Sequence, residues 1–391
     1  MDQPNSSWNS DRAIIRIWAA SIIVLTVLSW RLWVPGFTDF PRAPVFDVPG
    51  SSIYTGIHYA ATLLLFAGLV GVCFTEKLRS SAGVITVSFG ILFLCNQHCL
   101  QPWAWQAFII AALIAFFPMR DAKVWIARIL ISIYLFSAIG KFDYQFIYSL
   151  GQEFLDVVLT WSGQADSVSE QLKSKLVLLF PIGELLIAIG LLIPQTRKAT
   201  ALLAIVFHIV LIAILSPIGL NNQWPVLVWN AVSALLVAWL FLMPSVGKLT
   251  PSKRSGALAE IGTIFALLVL AGPLLRPTQM WDHWLAWGLY SPSNSRVEVY
   301  VYDSSRDRCG EDLQKYFSET DMQFSSTRFE FERWSLEELG VPIYPQARFQ
   351  KAAAIVWLKQ HGLLDKVILV EYSPSHPVTG EREKTMVAIE D

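Results

Sequence analysis

Charge is what this chain has least of. Of 391 residues only 16% are Asp, Glu, Lys or Arg, while 54% are hydrophobic; soluble domains carry about a quarter charged residues. The shortage is concentrated in residues 1–276, where apolar runs long enough to span a bilayer recur. A net charge of −1 argues against a nucleic-acid-binding surface. Cysteine is also scarce. Cys73, Cys95 and Cys99 lie in or at the ends of apolar runs and Cys309 stands alone, so no disulfide framework is implied. Cys95 and Cys99 are one helical turn apart beside His98, the wrong geometry for a relaxed intrahelical disulfide, and no fourth metal ligand accompanies them. They read as small buried thiols. Cys309, His361 and His376 have no metal-binding spacing, and no metal is expected. The first apolar run follows a polar N-terminus without a small-residue cleavage site, which reads as a retained helix.

What is present is a succession of membrane-length segments. About nine can be drawn, over 13–34, 55–75, 81–100, 104–119, 122–147, 174–194, 198–218, 224–245 and 257–275; the fourth is short, and without it there are eight. Trp8, Trp30, Trp33, Trp103, Trp105 and Trp224 lie near the ends of these runs, as an interfacial aromatic belt would. Basic residues alternate with the connections. Arg12 and Arg16 flank the first run, and Lys77 with Arg79, Arg120 with Lys123, Arg197 with Lys198, and Lys248 with Lys253 and Arg254 follow the even-numbered ones. By the positive-inside rule this sets the N-terminus in the cytoplasm and the C-terminal region outside it. The outer connection 35–54 is rich in Pro, Asp and Gly and reads as irregular loop; 148–173 reads as a polar helix or lid at the outer interface.

The pattern changes after Pro277. Arg296–Tyr302, Arg328–Arg333 and Lys366–Tyr372 read as strands, and Gln350–Lys359 as a helix ended by Gly362. The expected fold is therefore an all-α polytopic membrane helix bundle (1–276) with a small C-terminal extracytoplasmic α+β domain (277–391), the latter a docking or capping unit.

Polar residues inside the runs carry the functional signal, because charge in a bilayer is expensive. Lys141 sits near the outer end of Val124–Asp143, where it either snorkels to the headgroups, with Asp143 as a simple partner, or marks a site. An amine removed from water gives up its proton more readily and can serve as a base. His58, Asn96 and His98 lie at similar outer depth; Glu184 and His208 lie near mid-depth. Arg128, in the inner half, reads as snorkelling inward. The simplest arrangement is a polar cavity open to the outer face, above an apolar floor.

The segment Tyr134-Leu-Phe-Ser-Ala-Ile-Gly-Lys141-Phe-Asp143 resembles the lysine-bearing helix of vitamin K-dependent γ-carboxylases and their relatives with a horizontally transferred transmembrane (HTTM) domain. Asn96-Gln-His98, Glu184-Leu-Leu and Phe207-His208 through Gly219 resemble further elements of that family, in family order, over roughly residues 10–275. The resemblance implies an outward-facing pocket with Lys141 as base and His98 as a second catalytic group. Asn96, His208, Glu184 and His58 would bind substrate or cofactor. It also implies a reduced quinone as cofactor, O2 and CO2 as co-substrates, and an extracytoplasmic protein or peptide substrate beside the lipid bilayer. Two departures stand out. Gly140 precedes Lys141 where the family often has a second lysine, and only about 115 residues follow the last span, too few for the family's large substrate-binding region. Two other readings are a non-catalytic membrane scaffold or lipid- and partner-binding protein, and a redox-associated protein of the DoxX/MauE type, in which Cys95 and Cys99 would be reactive.

Overall fold

The computed structural model describes residues 6–46, 51–243, 249–252, 256–318 and 325–387; Lys248, Lys253 and Arg254, and the side chain of Trp8, lie outside the described residues. The bundle is built from α1 (Ser6–Leu28), α2 (Trp30–Trp33), α3 (Ser51–Phe74), α4 (Leu78–Cys95), α5 (Pro102–Phe116), α6 (Met119–Lys141), α7 (Tyr144–Tyr148), α8 (Leu150–Trp161), α9 (Glu170–Leu176), α10 (Leu179–Leu192), α11 (Arg197–Leu215), α12 (Trp224–Val237) and α13 (Ala257–Ala271). Among the described residues, seven helical stretches are long and apolar enough to cross a membrane: Ile53–Phe74, Leu78–Cys95, Met119–Lys141, Glu170–Leu192, Arg197–Leu215, Trp224–Leu242 and Ala257–Thr278. They mark a multi-pass membrane protein. Of the other two expected runs, 104–119 is the shorter apolar helix Pro102–Phe116. The run 13–34 is α1, whose first half carries Asp11, Arg12 and Arg16, broken at Ser29 before α2.

Helix α6 is the axis of the bundle. Of its most apolar window 78% is buried, against 28% for Ala257–Thr278 at the periphery. It packs against α10, α5 and α13, while α3 with α4, α4 with α5, and α11 with α12 form neighbouring antiparallel pairs. Lys123 Nζ lies 2.7 Å from Asp11 Oδ1, which also accepts from Trp239 Nε1 at 2.8 Å, tying one end of α1, α6 and the helical continuation of α12. The Arg128 guanidinium donates to the Leu249 carbonyl, in the connection before α13, at 2.6 Å. The expected tryptophan belt is only partial. Trp30 and Trp224 are exposed, whereas Trp33, Trp103 and Trp105 are buried inside the bundle.

The C-terminal part holds a four-stranded antiparallel sheet in the order β2-β1-β3-β4, formed by β1 (Arg296–Tyr302), β2 (Ser326–Phe329), β3 (Val367–Tyr372) and β4 (Lys384–Val387), with α14 (Phe331–Leu339) and α15 (Ala347–His361). The alternation expected to run on to Arg333 breaks at Glu330. From Phe331 the apolar spacing becomes helical, and Phe331 and Trp334 join Phe329 in one aromatic cluster against Trp357, with the Phe329 and Trp357 rings stacked at 4.3 Å. Strand β4 carries only four residues, three of them exposed, so it left no alternation to read. Helix α15 ends at Gly362, whose φ of +62° is the left-handed cap that glycine adopts without strain.

This domain docks on one end of the bundle. Arg31 pairs with Glu338 at 3.1 Å, Tyr144 N donates to the Pro377 carbonyl at 2.7 Å, and Gln145 donates to Gly380 at 3.1 Å. Ser291 Oγ donates to the Gly140 carbonyl at 2.7 Å. The buried apolar core runs without a break from the bundle into the sheet. The expected outer lid, 148–173, is α8 and α9: α8 buries Gly151, Phe154, Leu155 and Leu159, while no residue of α9 is buried.

Candidate functional site

Lys141 ends α6 with its side chain wholly inside the protein. Nζ lies 2.8 Å from Glu184 Oε2, 3.0 Å from Oε1 and 2.6 Å from Ser137 Oγ, and 6.0 Å from the centroid of the Tyr290 ring. The side chains of the pair are 2% and 8% exposed. Snorkelling is thus excluded for this conformation, and the partner is Glu184 on α10. Asp143 instead accepts from Phe146 N at 3.2 Å and caps α7. Ser137 is one turn before Lys141 on the same face of α6, which is the sequence signal that could have found it.

A second polar chain lies beside the pair. Tyr134, one further turn back on α6, has its hydroxyl 2.6 Å from His208 Nε2, and His208 Nδ1 is 3.0 Å from Asn230 Oδ1. Asn230 Nδ2 donates to the Val226 carbonyl at 2.9 Å, so its Oδ1 is the acceptor. That assigns His208 as a donor at Nδ1 and as the acceptor of the Tyr134 proton at Nε2. The amide of Asn230 also faces the Tyr290 hydroxyl. Tyr134, Ser137, Glu184, His208, Asn230 and Tyr290 line one cavity of about 40 Å3 inside the bundle, room for about one water.

Three of the six residues expected at the site are therefore together: Lys141, Glu184 and His208. The other three are elsewhere. Asn96 caps a short 3-10 turn, its Oδ1 accepting from His98 N at 3.2 Å. His98 points into the docked domain. Its Nε2 is 3.1 Å from the Pro342 carbonyl and 3.2 Å from Ser335 Oγ, and its ring packs between Phe40 and Phe349. His58 is buried 1% exposed and lines neither of the two cavities described here. Asn96 and His98 lie just past the end of α4, in the short turn before α5, and line neither the small cavity nor the vestibule.

Above the small cavity opens a vestibule of about 780 Å3 between the bundle and the C-terminal domain. Its bundle side carries Trp103, Phe154 and Trp229; its domain side carries charged residues of β1, β2 and α14. Trp229, Leu289 and Tyr290 line both spaces, so the Tyr290 side chain is part of the wall between them. Tyr290 holds φ +54° and Trp287 φ +59°, a region costly for bulky residues. His283 lines the vestibule from the same segment; its Nε2–H donates to the Ser291 carbonyl at 2.8 Å, and burial beside Arg276 holds it neutral, its pKa well below the ordinary histidine range. Glu332, recessed in the vestibule yet reached by solvent, has its pKa pushed up to about 7 by the surrounding protein.

The expected quinone can be tested for fit. A quinone ring is far larger than one water, so the cavity at Lys141 does not fit it while Tyr290 is in place. The vestibule is within the usual range for ligand pockets. Gly140 stands where the resemblance leads one to expect a second lysine, and the space beside it is taken. A Cβ there would stand 2.6 Å from Arg276 Nη1, and Arg276 also donates to Ser293 Oγ at 2.9 Å, so the position beside Lys141 is filled by an arginine from the end of the last span. Among the described residues no group of His, Cys, Asp and Glu has metal-ligand geometry. All four cysteines are free thiols. Compared with known proteins, the chain matches no family model, no curated protein and no solved structure.

Proposed function

We propose that this is a nine-crossing membrane protein that takes an apolar-bodied ligand into the extracytoplasmic vestibule and exchanges a proton with it through the Lys141 cluster. The observation that carries this reading is the convergence of the Lys141–Glu184–Ser137 and Tyr134–His208–Asn230 chains on one cavity, with Tyr290 as part of the wall between that cavity and the vestibule. Buried hydrogen-bonded pairs of titratable groups are common where protons are handled. Nine crossings, cytoplasmic N-terminus first, agree with the alternation of basic connections and with docking of the C-terminal domain at the end of the bundle where Lys141 lies.

The role of Lys141 changes from the one implied by resemblance. Its N–H donors are engaged by a carboxylate and a hydroxyl, so it acts with Glu184 as a pair and not as a free base. No step is routed through a quinone, because the ring does not fit at Lys141. Quinol-dependent carboxylation remains supported by the residue resemblance alone.

A second reading, a scaffold in which the pair only locks α6 to α10, is favoured by how completely Lys141 is satisfied. Proton release or uptake on ligand addition separates the two. Full-length protein in weakly buffered detergent solution, followed with a pH-sensitive dye, changes the bulk proton count when a vestibule ligand binds. The Lys141→Met/Glu184→Leu double variant binds the ligand without that change. Identical proton traces for both proteins defeat the proton-exchange reading and leave the scaffold.

A further inference from the structure

We infer that the vestibule recognises an amphipathic organic cation, an ammonium head on an apolar body, with Glu332 meeting the head. This names the ligand class of the proposed vestibule site and rests on that site being a ligand site. The charged residues lining the vestibule are Arg296, Glu298, Arg328, Glu330, Glu332 and Arg333. Five of them are spent on each other or on a neighbour. Arg296 and Arg328 pair with Glu298 at 3.3 and 3.5 Å, Arg328 with Glu330 at 3.3 Å, and Arg333 with Glu337 at 2.9 Å. Among the described residues Glu332 has no ion pair; it accepts only from the backbone N–H of Ile343. The unspent charge of the vestibule is therefore one carboxylate.

The vestibule that holds this carboxylate is also lined by aromatic rings. Ile343 follows Pro342, whose carbonyl accepts from Gln101 Nε2 at 3.3 Å at the start of α5, two residues before Trp103. Trp103, Trp229, Trp284, Tyr290 and Phe154 line the rest of the vestibule. Aromatic faces with a single carboxylate attract ammonium groups through the ring quadrupole and the charge together, and the same rings take an apolar body. An anionic ligand finds every lining arginine already paired. The ammonium can belong to a free amphiphile or to the headgroup of a lipid, since the vestibule lies between the bundle and the C-terminal domain.

The test uses the full-length protein in detergent and follows tryptophan fluorescence during titration with three probes of one body. Benzyltrimethylammonium carries the cation, benzyl alcohol is neutral and benzenesulfonate is anionic. The expected result is saturable binding of the cation at least tenfold tighter than the sulfonate. Glu332→Gln should remove about tenfold of the cation's affinity, worth about 1.4 kcal/mol, and leave benzyl alcohol unchanged. Repeating the titration in nanodiscs assigns the source. Phosphatidylcholine discs weaken the probe relative to phosphatidylglycerol discs if lipid headgroups occupy the site, and the two discs agree if the ligand is free. Equal binding of cation and sulfonate, or an unaffected Glu332→Gln variant, overturns the cation while benzyl alcohol binding still upholds the vestibule. If none of the three probes binds, the vestibule reading falls with it.

Discussion

Lys141 of α6 and Glu184 of α10 form a buried ion pair, Nζ to Oε2 2.8 Å, at the end of the bundle that carries the C-terminal domain. Both side chains are almost wholly buried, so each charge depends on the other. Removing one partner of such a pair leaves an uncompensated charge and costs about 3–5 kcal/mol, whereas replacing both with apolar residues of similar volume is often close to neutral. Lys141→Met and Glu184→Leu should each lower thermal stability sharply, and the double variant should recover most of the loss. A double variant whose loss equals the sum of the singles would show that the two residues do not act as a pair.

Tyr290, with Trp229 and Leu289, stands between the vestibule and the small cavity lined by Glu184, the partner of Lys141. Tyr290→Ala should join the two spaces and expose the amine to small acylating reagents that enter the vestibule, raising modification of Lys141 as read by mass spectrometry. Tyr290→Phe keeps the ring and should leave labelling at the wild-type level. Equal labelling of all three proteins would mean that the ring does not separate the spaces.

At Gly140 the limit is space. A methyl group there meets Arg276 Nη1 at 2.6 Å, and Arg276 is held by Ser293 while Ser291 bonds the Gly140 carbonyl. Gly140→Ala should displace the guanidinium and loosen the 281–295 segment at a cost of about 1–3 kcal/mol, the usual range for overpacking. Hydrogen exchange should then quicken in 281–295 and not in α1 or α3. Unchanged protection in 281–295 would mean that Arg276 gives way to the added methyl group without cost.

Glu332 gives the fold a pH dependence. Desolvation by the surrounding protein pushes its pKa up to about 7 from an ordinary 4.5, although the side chain keeps a solvent-exposed surface. The folded state then holds a proton that the unfolded state has released, so this residue makes stability fall as pH rises from about 4.5 to about 7. Thermal melts across that window should show a shallower slope in Glu332→Gln. The same slope in both proteins would place the titration elsewhere.

His98 shows how far the sequence could be read and where it stopped. Composition and apolar run length were enough for a membrane bundle with a small sheet-bearing domain after Pro277. His98 was legible as a polar residue at the end of an apolar run, but its partners Pro342 and Ser335 are more than two hundred residues away and belong to a docking that no local pattern encodes. Lys141 and Glu184 each stood out as expensive residues. Their pairing across 43 positions did not, and Asp143 was the nearer and wrong candidate. Asn230 was readable in principle, as a polar residue inside an apolar run. Tyr290 was not, because its role comes from an irregular segment folded back under the domain.

The proton state of Glu184 tests the central claim most directly. Infrared difference spectra of the full-length protein, recorded with and without a vestibule ligand, should contain a carboxyl band that is lost in Glu184→Gln, showing that ligand binding changes the protonation of the Lys141–Glu184 pair. A difference spectrum identical in wild type and Glu184→Gln, under conditions where the ligand is bound to both, would contradict it and leave the pair as a structural lock between α6 and α10.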